Sequence, residues 1–203
     1  QKHNQTPTRI SFNFVRAALK PLVQLLTELL AAQPDEQFDD EEETSRASTA
    51  GTTLSLVAKV AGDDIVVATM PFISQHINSQ NWKYREAATL AFSAILDGPT
   101  SRDKMKTLVN QAVPVMLSHI SDKEVIVRDT TVFTIGRIAE FHFDALADGN
   151  HLDNVMKALA ISLKDEPRVA SRAAWSLSHV CEALDVSDNP DATTSALSPY
   201  FVG

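Results

Sequence analysis

Residues 70–77 read MPFISQHI, and residues 113–120 read VPVMLSHI. Proline, histidine and isoleucine recur in the two stretches at a separation of 43 residues. The agreement continues downstream: an arginine followed by an acid comes fourteen positions after each proline, and an isoleucine ten positions after each arginine. Five matches at one offset indicate an internal repeat. Repeats of about 20 to 50 residues are typical of solenoids.

Apolar residues recur every three to four positions along the chain, and glycine is scarce, with 6 among 203 residues. This period predicts amphipathic helices, and we expect them to form four hairpins. The predicted first helices cover residues 16–31, 65–78, 104–120 and 151–164. The predicted second helices cover residues 47–61, 81–97, 123–142 and 167–184.

Two helices in about 40 residues are typical of HEAT and armadillo repeats. One hairpin cannot bury its own apolar face, whereas stacked hairpins share a continuous core. We therefore predict an all-α, right-handed superhelical solenoid of about four HEAT repeats, each an antiparallel helix hairpin. The predicted divisions are an exposed N-terminal segment at 1–15, repeats at 16–61, 65–97, 104–142 and 151–184, and a linker with the start of another repeat at 185–203.

The recurring arginines, Arg85 and Arg128, each precede an acidic residue at the same repeat position. We expect each arginine to pair with an acid of a neighbouring repeat, which would form a ladder of ion pairs along the stack.

Residues 34–44 read PDEQFDDEEET and contain seven carboxylates. The acidic residues are Asp35, Glu36, Asp39, Asp40, Glu41, Glu42 and Glu43. Because connections between helices usually have about 2–8 residues, we predict an exposed acidic loop at 33–46. The loop is either a solvated spacer or a surface for a basic partner, which would relieve the repulsion among its charges.

The acidic run accounts for most of the formal net charge of −8, since 18 basic residues face 26 acidic ones. The nearly neutral remainder argues against nucleic acid as a partner. No apolar run reaches the roughly 20 residues needed to span a bilayer, so we expect no membrane partner. One cysteine excludes an internal disulfide and suits a reducing compartment. The first residue is not methionine, and the sequence resembles part of a longer protein.

Motifs for catalysis or cofactor binding are absent from the sequence. It has no phosphate-binding G-x-x-x-x-G-K-[ST], no nucleophile elbow G-x-S-x-G and no zinc motif H-E-x-x-H. The six histidines do not combine with cysteine at metal-ligand spacing. We therefore expect no enzyme, no cofactor and no metal, and favour a protein that binds other proteins.

Three stretches and the acidic run resemble the importin-beta (karyopherin-beta) family of nuclear transport receptors. The stretches are NWKYREAATLAFSAILDGP at 81–99, VRDTTVFTIGRI at 127–138 and EPRVA at 166–170. The resemblance extends from about Phe14 to Leu184 and corresponds to a middle segment of the family's row of HEAT repeats.

The resemblance implies a carrier. Its concave face, lined by second helices, would bind the basic importin-beta-binding segment of importin-alpha or another basic cargo. Ran-GTP would release that cargo and would also touch the acidic loop. Nucleoporins would dock mainly on repeats outside this fragment, and the receptor would shuttle between cytoplasm and nucleus through the nuclear pore.

The family's second helices carry tryptophans that stack on arginines of the basic segment. One position is Trp175 here, and the other is Phe133, whose ring binds a guanidinium more weakly than indole does. Asp129 either contacts the basic partner or pairs within the ion-pair ladder, and Trp175 is either a partner contact or part of the core. The family's tryptophan-asparagine at the end of the acidic loop is replaced by Thr44 and Ser45.

A HEAT scaffold for another complex, such as a phosphatase scaffold, is the alternative function. Such scaffolds have more uniform repeats and lack an acidic insert. The insert and the stretch at 81–99 favour the carrier.

Overall fold

The computed structural model describes residues 13–33, 41–148 and 151–187. These residues form nine helices and contain no strand, which confirms the predicted all-α class over this part of the chain. The helices are α1 (Phe14–Ala17), α2 (Leu19–Ala31), α3 (Glu41–Ala61), α4 (Asp64–His76), α5 (Trp82–Ala94), α6 (Arg102–His119), α7 (Val125–Asp148), α8 (Leu152–Ser162) and α9 (Pro167–Ser187).

The helices pair into four hairpins, α2 with α3, α4 with α5, α6 with α7 and α8 with α9. Neighbouring hairpins stack through their second helices, since α3 contacts α5, α5 contacts α7 and α7 contacts α9. One continuous core runs through the stack and includes Leu54, Ile95, Ile135 and Val180. Pro71 and Pro114 lie inside the first helices α4 and α6, as their repeat positions predicted.

Two helix boundaries differ from the prediction. Helix α3 begins at Glu41 rather than at residue 47, so the predicted loop at 33–46 is too long. Acidic residues are favourable in the first turn of a helix because the helix dipole is positive there. Helix α7 continues to Asp148, and its non-helical residue, His142, stands at the predicted end. The ring nitrogen Nε2 of His142 lies 2.8 Å from the carbonyl oxygen of Leu96.

Parts of three predicted divisions lie outside the described residues. They are positions 1–12 of the N-terminal segment, positions 34–40 of the first repeat and positions 188–203 of the C-terminal linker. Within the described part, Phe14 of α1 is largely exposed and α9 extends through Ser187.

Small side chains let the second helices approach one another closely. Ala87 and Ala91 of α5 and Ala173 of α9 are completely buried. A Cβ atom added to Gly136 of α7 would lie 2.6 Å from Cζ3 of Trp175 and 2.6 Å from Oγ of Ser176. Helix α9 can therefore pack at this distance only because residue 136 has no side chain.

The second helices contact one another more extensively than the first helices do. Stacked helix pairs form superhelices with a concave side. We call the layer of second helices the inner face, following the prediction that second helices line the concave side.

Two arginines hold successive hairpins in the same register. Arg85 donates from Nε and Nη2 to the carboxylate of Asp122, at 2.8 and 2.9 Å. Arg128 repeats this arrangement with Asp165, at 2.6 and 2.7 Å. The predicted pairing of both arginines with acids of a neighbouring repeat is confirmed, and in each pair the acid belongs to the next repeat. We call these two pairs the clasps.

In both clasps the hydrogen bonds lower the pKa of the carboxyl group and burial raises it, but the relative size of the two effects differs. Burial alone would raise the pKa of Asp122, but hydrogen bonds from Arg85 and from the Glu124 amide outweigh it and leave that pKa lowered. The hydrogen bond from Arg128 is the main cause of the lowered pKa of Asp165.

Candidate partner-binding surface

Three rings from two neighbouring repeats form a row on the second-helix layer. The rings of Phe133 and Trp175 stack with centroids 5.2 Å apart and planes inclined by 27°. The ring of His179 meets Trp175 edge-on at 4.4 Å. All three side chains are half-buried, so each keeps part of its surface in solvent. We call Phe133, Trp175 and His179 the aromatic row.

Trp175 has features of both alternatives, a core residue and a contact for a partner. One edge of its indole packs against the backbone at Gly136, as a core residue would. The ring nevertheless remains partly exposed on the inner face, where a flat cation could reach it. Because Gly136 has no side chain, Trp175 can pack against α7 and stack on Phe133.

The carboxylate of Asp129 is buried beside the aromatic row and pairs with two arginines of the next repeat. Arg168 donates from Nε to Oδ2 at 2.7 Å, and Arg172 donates from Nε to Oδ1 at 3.3 Å. The side chain of Asp129 is only 4% exposed. It therefore pairs within the stack, and a partner could reach it directly only by displacing one of these arginines.

Arg172 also contacts the aromatic row. Its guanidinium carbon lies 4.8 Å from the centroid of the Phe133 ring, which is within cation–π range. The interaction that the family resemblance assigns to an arginine of the partner is thus already made by an arginine of this chain.

A second arginine–aromatic contact extends the surface along α7. The guanidinium of Arg137 lies 4.3 Å from the centroid of the Phe141 ring, and its Nη1 donates to Glu140 at 3.0 Å. Phe133, Arg137 and Phe141 are spaced four residues apart and so share one side of the helix. The inner face of this repeat therefore carries alternating aromatic and cationic groups.

Glu86 holds a repeat position equivalent to that of Asp129, but its partners are neutral. Thr130 donates its hydroxyl to Oε1 of Glu86 at 2.8 Å, and the amide of Gln33 donates to Oε2. Burial raises the pKa of Glu86 to about 7, against the lowering effects of both hydrogen bonds and of Arg168. The group links three successive hairpins and has no solvent-facing surface for a partner.

Only three of the seven acidic residues predicted to bind a partner lie within the described residues. Asp35, Glu36, Asp39 and Asp40 lie outside the described residues. Glu41, Glu42 and Glu43 belong to the first turn of α3, so their assignment to a loop is wrong. Their role in binding a partner stays a prediction.

Over the part of the chain that the structure describes, no group of three or more His, Cys, Asp or Glu side chains is arranged to hold a metal ion. The helices in that part include none with the length and apolar character needed to cross a membrane.

The sequence alone does not predict that Arg172, His179 and Gly136 belong to this surface. A signal for Arg172 was present, because it lies 43 residues after Asp129 and 86 after Glu86. His179 follows Trp175 by four residues and so shares its side of α9. Nothing local marks Gly136, whose importance depends on what α9 places beside it.

The stacked hairpins and their exposed inner face define the class of protein as a HEAT-repeat solenoid. The family model of the HEAT-like repeat matches residues 82–138. These residues include α5, α6 and the first part of α7, with the clasp between Arg85 and Asp122.

Relatives narrow the class to one family. Importin subunit beta-1 of Schizosaccharomyces pombe is 35% identical over 202 residues, which are 99% of this chain and 23% of the relative. The chain belongs to the importin-beta family and spans about a quarter of the length of the curated relatives it matches.

Solved structures of yeast importin-beta, Kap95p, have the same architecture. One comes from work on Kap95p binding to RanGDP, which induces the switch loops of RanGDP to adopt the GTP-bound conformation. It gives a TM-score of 0.85 at 33% identity, covering 97% of this chain and 22% of Kap95p. The Kap95:Nup1 complex gives the same TM-score, identity and coverage.

Proposed function

We propose that this chain is part of a nuclear import receptor that binds a basic segment of importin-alpha, or another basic cargo, on its inner face. Ran-GTP then releases the cargo, and the receptor shuttles between cytoplasm and nucleus. The role is binding and not catalysis. The observation that carries the proposal is the partly exposed aromatic row on the second-helix layer.

The chemistry of the row suits a basic peptide. Flat indole and phenyl rings bind guanidinium groups through their faces, and indole does so best. The formal net charge of −8, concentrated at 35–43, would attract a cationic segment at low salt. The relatedness of nearly the whole chain to importin subunit beta-1 supports the same assignment.

The structures of Kap95p support two further partners. Ran is proposed as the releasing partner because the yeast relative binds RanGDP. Nucleoporins are proposed because the relative forms a complex with Nup1. We place the nucleoporin contacts mainly on repeats beyond this segment, and a contact of Ran on the acidic residues of this segment.

The proposal is tested by calorimetric titration of the chain with a basic importin-alpha peptide at low and moderate salt. Trp175→Leu keeps an apolar side chain against Gly136 but removes the π face. We expect it to weaken binding about tenfold, the upper range of a cation–π contact. Ile161→Ala is the matched control, because Ile161 is 68% exposed on the first helix α8.

Three further outcomes decide the rest of the proposal. A variant with the seven carboxylates changed to Asn and Gln should bind more weakly and with less dependence on salt. Added Ran-GTP should release the peptide. No binding by the unmodified chain, or equal binding by the Trp175→Leu and Ile161→Ala variants, would overturn the assignment of the aromatic row.

A further inference from the structure

Arg172 is attached to the inner face at two points of unequal strength. Its Nε donates to Asp129 at 3.3 Å, which is long for a charge-assisted hydrogen bond, and its guanidinium lies 4.8 Å from the Phe133 centroid. The side chain is 40% exposed. It is thus held over the ring while one side remains open to solvent.

Asp129 does not depend on Arg172 for its neutralisation. Arg168 donates to the other carboxylate oxygen at the shorter distance of 2.7 Å. When Arg172 moves away, the buried carboxylate keeps its stronger partner, and no unpaired buried charge results. Arg172 can therefore leave its position at small cost.

Two of this chain's own groups contact the ring of Phe133. Trp175 stacks against it, and Arg172 lies over it. An arginine from a basic partner can take the place of Arg172 over the ring only after Arg172 has moved away.

We propose that Arg172 is a built-in competitor for basic partners, which occupies the Phe133 ring until a guanidinium of the partner replaces it. The inference rests on the proposed binding of a basic segment to this face. One guanidinium is exchanged for another, so part of the attraction between the partner and the ring is cancelled. Arg172 thereby lowers the affinity of the receptor for its cargo and eases release.

Titration of the Arg172→Gln chain with an arginine-rich importin-alpha peptide tests the competition. Arg102→Gln is the matched control, since it removes the same charge from an exposed site on the first helix α6. We expect Arg172→Gln to bind about three- to tenfold more tightly than Arg102→Gln, as one uncovered cation–π site allows. Arg172→Lys, which keeps the charge but not the planar group, should lie between wild type and Arg172→Gln.

A double-mutant cycle separates competition from general repulsion. In a Phe133→Leu background, the change of Arg172 to Gln should give no gain beyond the Arg102→Gln control, because no ring remains to uncover. A gain that persists in this background would assign the effect to charge alone and overturn the proposal.

Side-chain NMR of Arg172 supplies a second readout. The ring of Phe133 should shift the Nε–H resonance, and both the Phe133→Leu change and bound peptide should remove that shift. If wild type binds and Arg172→Gln is no tighter than Arg102→Gln, the competition is wrong while the proposed function stands. If neither wild type nor Arg172→Gln binds, both proposals fall.

Discussion

Glu86 and Asp129 occupy the same position of consecutive repeats, 43 residues apart, yet their carboxylates are stabilised differently. Glu86 accepts hydrogen bonds from the neutral side chains of Thr130 and Gln33, and its pKa is raised to about 7. Asp129 accepts charge-assisted hydrogen bonds from Arg168 and Arg172. One carboxyl group is a candidate for the neutral form inside the stack, and the other is paired with two arginines beside an exposed surface.

The difference follows from what the next repeat supplies. In the repeat that follows Glu86, the hydroxyl of Thr130 donates to the Glu86 carboxylate. In the repeat that follows Asp129, Arg172 donates to the Asp129 carboxylate. A repeat position therefore has no fixed chemistry, even where the backbone repeats. Arg172, the weaker of the two partners of Asp129, also lies over the Phe133 ring, so this position connects the buried carboxylate to the binding surface.

The comparison of Glu86 with Asp129 depends on the common register of their two repeats. Breaking the clasp of Arg85 should therefore have the largest effect on the free energy of unfolding. Arg85→Ala leaves the carboxylate of Asp122, which is 9% exposed, without its bidentate partner. We expect a loss of about 3–5 kcal/mol in the free energy of unfolding, measured by urea denaturation followed by circular dichroism.

The matched control for Arg85→Ala is Arg128→Ala. Its partner Asp165 is 21% exposed and returns to water more easily, so the loss should be smaller. A loss below about 1 kcal/mol for Arg85→Ala would mean that the clasps do not set the register.

Removing the titratable group from Glu86 should stabilise the protein at alkaline pH. Because the pKa rises from 4.5 to about 7 on folding, the folded state takes up a proton between these values, and stability falls as pH rises through that window. Glu86→Gln avoids this loss and can keep both hydrogen bonds if the Gln33 amide turns over.

We expect Glu86→Gln to be more stable than wild type by about 3 kcal/mol at pH 8 and equal to it below about pH 4.5. Unfolding in urea across this pH range measures the difference. A gap between variant and wild type that does not change with pH would show that the pKa of Glu86 is the same in the folded and unfolded protein.

The corresponding change at Asp129 should have the opposite sign and a smaller size. Asp129→Asn removes the anion shared by Arg168 and Arg172, whose side chains are 54% and 40% exposed and return to water. We expect a loss of about 1 kcal/mol at neutral pH that shrinks as salt is added. Thermal melting at low and high salt measures it. If Asp129→Asn stabilised the protein, Asp129 would behave as Glu86 does, and the difference between the two carboxyl groups would be wrong.

Local sequence determined the helices and their order. The 43-residue period, the apolar spacing and the prolines at 71 and 114 placed four hairpins, and the arginines at 85 and 128 were assigned to pairs with the next repeat. These features depend on residues close in the chain or on strict repetition, so they are visible without coordinates. The dense acidic run predicts a loop up to residue 46, whereas α3 begins at Glu41.

The candidate surface was determined only in part. Phe133 and Trp175 were singled out by resemblance, and the sequence left open whether Asp129 faced a partner or its own chain. The tertiary structure decided that Asp129 is buried between two arginines and that Arg172 covers Phe133. It also made Gly136 the residue against which Trp175 rests. Each of these contacts joins residues about 40 positions apart, and their geometry depends on how closely two helices pack, which no local pattern encodes.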